Sequence, residues 1–223
     1  MLHTQLASVP AGASLKKLGL AAHNCQACDL YRHATQTVFG EGPLGARVVF
    51  VGEQPGDRED IEGHPFVGPA GKLLARAFEE AGLQSSEIYL TNAVKHFKFE
   101  KRGKRRIHKK PESEEIAACR PWLEAEIAAL RPELIVCLGT TAGYSVFSRR
   151  IGIRAERGKF LAHEWGPAAF LTVHPSAILR APDEGARQEE YKQFVADLKA
   201  VKRWLDHPSH VGSLTPAQQK RMV

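Results

Sequence analysis

The sequence predicts a three-layer α/β/α fold built on a mainly parallel central sheet. Two observations carry that prediction. Four short apolar runs, at residues 46–51, 88–91, 134–138 and 170–173, each stop at a glycine or a polar loop, as strands buried on both faces do. Between them lie segments with apolar residues at helical spacing, so strands alternate with helices and the helices cover both faces of the sheet. With 223 residues, 43% hydrophobic and 25% charged, the chain can bury one full core. No apolar run approaches the ~20 residues that span a bilayer, and the N-terminus lacks a basic-then-apolar signal pattern, so a cytoplasmic protein without membrane contact is expected.

Taken in order, residues 1–13 are small, polar and punctuated by Pro and Gly, which predicts a flexible terminus ahead of a single domain at 14–206. Leu15, Leu18, Leu20, Ala21 and Ala22 suit a short helix, with Cys25 and Cys28 at its end or just past it. The strand at 46–51 runs into the loop Gly52-Glu53-Gln54-Pro55-Gly56-Asp57. Gly68-Pro69-Ala70-Gly71 opens a helix that presents Leu73, Leu74, Ala77 and Phe78 on one face and closes at Gly82. The second strand ends at Asn92. Pro111-Glu112-Ser113-Glu114-Glu115 starts a helix that carries Cys119 to about Leu130, its carboxylates lying where the helix dipole favours them. The third strand is stopped by Gly139, and a helix follows over 140–147. Residues 149–168 give no assignment. The fourth strand ends at His174-Pro175-Ser176, an amphipathic helix spans 188–205, and residues 207–223 read as a tail.

Chemistry concentrates in three places. In an open α/β sheet ligands bind beyond the carboxyl ends of the strands, and here those ends carry Glu53, Gln54 and Asp57, then Asn92, then His174 and Ser176. Residues 95–110 hold nine of the 31 lysines and arginines against one carboxylate, a formal +8 in a chain of +6, which leaves the remainder at −2. A polyanion is therefore expected to meet one segment, not the whole surface. Cys25-x-x-Cys28 is half of a zinc or iron–sulfur site, and Cys119 can complete three ligands. Cys137 lies in a buried strand, where cysteine is usually a small core residue.

Gly52-Glu53-Gln54-Pro55-Gly56, Pro65-Phe66-Val67-Gly68-Pro69-Ala70-Gly71, Thr91-Asn92-Ala93-Val94-Lys95 and His174-Pro175-Ser176 resemble, in this order, the motifs of family 4 uracil-DNA glycosylases, over roughly residues 20–205. Three departures, Gln54 for a small residue, His96 for a cysteine and the inserted Lys104-Arg105-Arg106-Ile107-His108, resemble the UdgX branch, which binds uracil-DNA covalently. The resemblance implies that Asn92 reads the Watson–Crick edge of a flipped uracil, Phe66 stacks on it and Gln54 adds a contact. It implies that His174 donates to uracil O2, that His108 attacks C1′ with Glu53 accepting its other N–H, and that Asp57 stabilises charge or holds water. Lys104, Arg105 and Lys109 would contact phosphates, with Ser176 and Arg180 as further candidates; Arg106 would either join them or pin the loop to the core.

By the same resemblance, Cys25, Cys28, His96 and Cys119 hold a [4Fe–4S] cluster of structural role, zinc being the alternative, with Cys137 left in the core. The partner implied is uracil-containing DNA, taken as single-stranded, met by a monomer. Two other functions stay open: a conventional turnover glycosylase, and a non-catalytic iron–sulfur protein that only binds nucleic acid.

Overall fold

All four apolar runs become parallel strands of one sheet in a computed structural model of the chain, which describes residues 4–163, 165 and 168–207. In chain order, α1 (Leu15–Ala22) and a 3-10 turn (Asp29–Arg32) precede β1 (Val48–Gly52), and α2 (Asp57–Glu62) and α3 (Pro69–Ala81) lead to β2 (Ile88–Asn92). A hairpin of β3 (Phe99–Arg102) and β4 (Arg105–His108) follows, then α4 (Ser113–Leu130), β5 (Leu134–Leu138) and α5 (Gly139–Phe147). The chain continues through α6 (Ile153–Glu156), β6 (Phe160–Leu161), β7 (Ala168–Thr172), α7 (Pro175–Leu179) and α8 (Glu184–Asp206).

The sheet order is β2-β1-β5-β7-β6, parallel except for the two-residue edge strand β6. From β1 the chain builds to one side and then crosses to the other, so the crevice of a topological switch point opens between the ends of β1 and β5. Side chains alternate across the sheet as the two-residue period requires. Val48, Phe50, Leu134, Val136 and Phe170 pack with α3, α7 and α8. Val49, Val51, Ile135, Cys137 and Leu171 pack with α4 and α5. Cys137 is fully buried there, as its strand position predicts.

Residues 99–108 form an antiparallel hairpin closed by Gly103, whose φ of 59° fits a tight two-residue turn. In residues 4–13, expected as a flexible terminus, Gln5 donates its N–H to Ala27 O at 2.8 Å and Ala7 to Ala118 O at 3.0 Å, beside the cysteines. The unassigned region 149–168 contains α6 and β6. Residues 208–223 of the expected tail lie outside the described residues. No described helix is long and apolar enough to cross a membrane.

Candidate functional site

The crevice begins with a close approach. A β-carbon on Gly52, the last residue of β1, would collide with Asn92 Oδ1 and with Phe66 Cζ, so glycine there lets the amide and the ring meet over the strand end. Phe66 is held at φ 59°, a conformation that costs a non-glycine residue about 1–3 kcal/mol and persists where its surroundings over-determine it. Part of that determination is Gly71, over which the Phe66 carbonyl packs with no room for a side chain. Another part is Glu59, buried on α2, which accepts the Gly68 N–H at 2.7 Å. Asn92 is 3% exposed, and among the described residues no hydrogen bond engages its side-chain amide.

His174 closes the opposite wall, its ring 6.3 Å from that of Phe66 and tilted by 26°. It caps α7: Nδ1 accepts the Ser176 N–H at 3.2 Å and lies 2.8 Å from Ser176 Oγ. An Nδ1 that accepts leaves the proton on Nε2, free to donate outward. Burial pushes the His174 pKa down to about 4, with Arg180 and His108 adding to the depression, so a neutral donor faces the crevice at pH 7. Ser176, expected on a phosphate, is placed against His174 Nδ1.

The hairpin delivers the third wall. Phe99 pairs with His108 and Lys101 with Arg106, so Arg106 and His108 share one face of β4. That face turns inward. Arg106 donates to Asp57 Oδ1 at 2.6 Å, to Asp60 Oδ2 at 2.5 Å and to Thr35 Oγ1 at 3.1 Å, with its guanidinium 5.5 and 5.1 Å from the rings of Phe97 and Phe99. Of the two roles expected for Arg106, the geometry is that of the pin. Asp57, expected as a charge stabiliser, is its partner. Gln54, expected on the base, holds the hairpin root: Nε2 donates to Lys98 O at 3.2 Å and Lys109 O at 3.1 Å, while Oε1 accepts the Lys98 N–H at 3.0 Å.

With Arg106 so placed, strand periodicity brings His108 over the crevice, where Nε2 lies 3.4 Å from Glu53 Oε1. Burial holds the His108 imidazole below its ordinary value of 6.5, against the pull of Glu53, and Arg180 lowers it further. The other Glu53 oxygen accepts from Thr141 Oγ1 at 2.5 Å, a contact from α5 that the sequence reading missed. Of the nine basic residues at 95–110, Lys95, Lys98, Arg102 and Arg106 are ion-paired. Lys104, Arg105 and Lys109 stand exposed on the hairpin or at its root, as phosphate contacts require, and Arg180 is exposed at the end of α7.

A second donor set lies behind the hairpin. Cys28 and Cys119 share one apolar cluster with Cys25 packed against it, and all are free thiols. Lys95 N donates to Cys119 Sγ at 3.2 Å and Trp122 Nε1 to Cys25 Sγ at 3.2 Å, the N–H···S contacts that support thiolate ligands. Next to Lys95, His96 is buried, and burial pushes its pKa down to about 4. Thr37 Oγ1 donates to Ala22 O at 3.0 Å and so accepts from His96 Nε2 at 2.9 Å, which leaves the Nδ1 lone pair unprotonated. Among the described residues no group of three or more His, Cys, Asp or Glu is arranged around a single metal ion. Three sulfurs and one imidazole nitrogen are the donor chemistry of an iron–sulfur cluster, which is larger than one ion.

The Uracil DNA glycosylase superfamily matches residues 39–199. The chain is 40% identical over 183 residues to a type-4 uracil-DNA glycosylase of Thermotoga maritima, covering 81% of this chain and 89% of that protein. It is 35% identical over 193 residues to one of Saccharolobus solfataricus (82% and 86% covered), and 36% identical over 190 residues to one of Sulfurisphaera tokodaii (81% and 83% covered).

Proposed function

We propose that the chain, which belongs to the uracil DNA glycosylase superfamily, excises uracil from DNA and that His108 then bonds to the abasic sugar, the behaviour of the UdgX branch that its motifs resemble. The observation that carries the second half is the convergence of His108 and Glu53 with Asn92, Phe66 and His174 at one crevice. A flipped uracil stacks on Phe66, and the Asn92 amide pairs with its O4 and N3–H, a pattern cytosine reverses. The glycosidic bond breaks with its electron pair passing to uracil N1, and the charge that spreads to O2 meets the Nε2–H of His174, a fixed donor worth ~3 kcal/mol. At the oxocarbenium carbon C1′, the ring nitrogen of His108 turned away from Glu53 supplies its lone pair, and the proton on the other nitrogen passes to Glu53. The product, an N-alkylimidazole, is a poor leaving group, so the protein stays attached.

Cys25, Cys28, Cys119 and His96 would hold a [4Fe–4S] cluster, which would tie the N-terminal segment, α4 and the root of the hairpin together without taking part in the reaction. A conventional turnover glycosylase is a second reading, favoured by the type-4 relatives and by a carboxylate, Glu53, able to orient water instead of imidazole. The test is to incubate the protein with uracil-containing single-stranded DNA and measure free uracil alongside a denaturing gel. A shifted band with uracil capped at one equivalent supports the covalent reading; multiple turnovers without a band overturn it in favour of the second.

Two predictions follow from the geometry of the hairpin. Adduct formation needs unprotonated His108, and because burial and Arg180 depress its pKa below 6.5, the single-turnover rate should be level at pH 7 and fall only on acidification, with a midpoint below 6.5. A profile still rising above pH 7 would contradict this. Arg106→Ala should slow adduct formation by about 10–100-fold through loss of loop position, yet leave the salt dependence of DNA binding unchanged. Lys104→Ala should reduce the log–log salt slope by about 0.7, the value of one phosphate contact on a single strand. An equal fall in slope for Arg106→Ala would return that residue to the phosphate role.

A further inference from the structure

We propose that Thr141 is a positioning residue for the nucleophile, its hydroxyl holding the Glu53 carboxylate in the one orientation that faces His108. This rests on the covalent reading above and adds a residue that none of the recognised motifs contains. Thr141 lies in the first turn of α5, immediately beyond β5, and β5 is the neighbour of β1 across the switch point. The sheet register therefore fixes where its backbone stands relative to Glu53, which follows β1 directly. The side chain is 2% exposed, and a β-branched residue in a helix has few rotamers to choose from. Its hydroxyl donates to Glu53 Oε2 at 2.5 Å, while Glu53 Oε1 lies 3.4 Å from His108 Nε2.

The carboxylate needs such a hold. Glutamate has three rotatable bonds, and this one is partly exposed, facing the cationic hairpin, with the charge of Arg180 near enough to His108 to lower its pKa. Arg106 shows what cations do to carboxylates here, having taken both Asp57 and Asp60. His108 is borne on a two-stranded hairpin whose imidazole is half exposed. The fixed end of the His108–Glu53 pair is therefore not the imidazole but the sheet, reached through Thr141. A hydroxyl that orients a carboxylate which orients an imidazole is a relay of position; no proton moves through Thr141 itself.

The test uses Thr141→Val, which removes the hydroxyl at constant shape, and Thr141→Ser, which keeps it, each checked for wild-type melting and cluster absorbance. The groups facing His108 are Glu53, Arg180 and His174. With Glu53 released, the pKa of His108 followed by NMR should fall by about half a unit or more in Thr141→Val, since the one carboxylate raising it has moved away, and stay put in Thr141→Ser. The single-turnover adduct rate at pH 7 should fall about 10–100-fold in the valine variant, the usual cost of losing a residue that orients a functional one, and recover to within about threefold in the serine variant. An unchanged His108 pKa in Thr141→Val overturns the proposal, as does a serine variant that fails as fully as valine. Absence of adduct from the wild-type protein sinks the covalent reading instead, and the NMR comparison still decides whether Thr141 positions Glu53.

Discussion

Replacing His108 with alanine is expected to abolish the denaturant-resistant protein–DNA band while leaving base removal in place. The two proposed steps use different residues. In that reading cleavage depends on Asn92, Phe66 and His174, which sit on the ends of β2 and β7 and on the loop before α3, none of them held in place by the His108 side chain. Capture depends on His108, which the hairpin carries, and on the Glu53 carboxylate that faces it. Removing the imidazole empties the space in front of Glu53 Oε1, and a water there can be oriented by the same carboxylate to attack C1′. The variant should then release the abasic strand and turn over, so uracil should pass one equivalent where the wild-type protein stops at one. If His108→Ala retains the band, the bond is made elsewhere; if wild type and variant both turn over alike, the chain is a conventional member of its superfamily.

The parallel sheet was readable because each central strand is a short apolar run with a glycine or polar stop, and burial on both faces leaves no polar residue to confuse the pattern. The placement of Glu53, Asn92 and His174 at strand ends was readable for the same reason. The hairpin was not. Charge dominates residues 95–110, and lysine and arginine say little about backbone conformation when they alternate with their own kind; the signals were Phe97 and Phe99 two apart, Arg106 and His108 two apart, and Gly103 between them. Charge counting misled in a second way, because Lys95, Lys98 and Arg106 are spent on internal carboxylates. Roles that need two distant segments to meet left no local trace. Gln54 on the hairpin carbonyls spans 44 and 55 residues, and Thr141 on Glu53 spans 88.

Lys95→Met should cost about 3–5 kcal/mol of unfolding free energy, the usual penalty for stranding one member of a buried ion pair. Lys95 and Glu126 are 1% and 0% exposed and meet at 2.6 Å. All three ammonium protons are used, on Glu126 Oε2, Thr91 Oγ1 and the Asn92 carbonyl. Glu126 in turn accepts from the Tyr89 hydroxyl, from Thr91 and from the Gly40 N–H. A buried pair can often be exchanged for apolar residues without loss, but this one is the centre of a network whose other members would be orphaned at about 1–3 kcal/mol each. The double variant Lys95→Met/Glu126→Leu should therefore stay well below wild type in urea unfolding. The same lysine joins the two clusters, since its N–H meets Cys119 Sγ and its Nζ meets the carbonyl of Asn92, the residue proposed to read the base. Loss of stability should thus come with weaker discrimination of uracil from cytosine in the folded fraction. A double variant as stable as wild type would show that the polar network is dispensable, and that Asn92 is positioned by the strand alone.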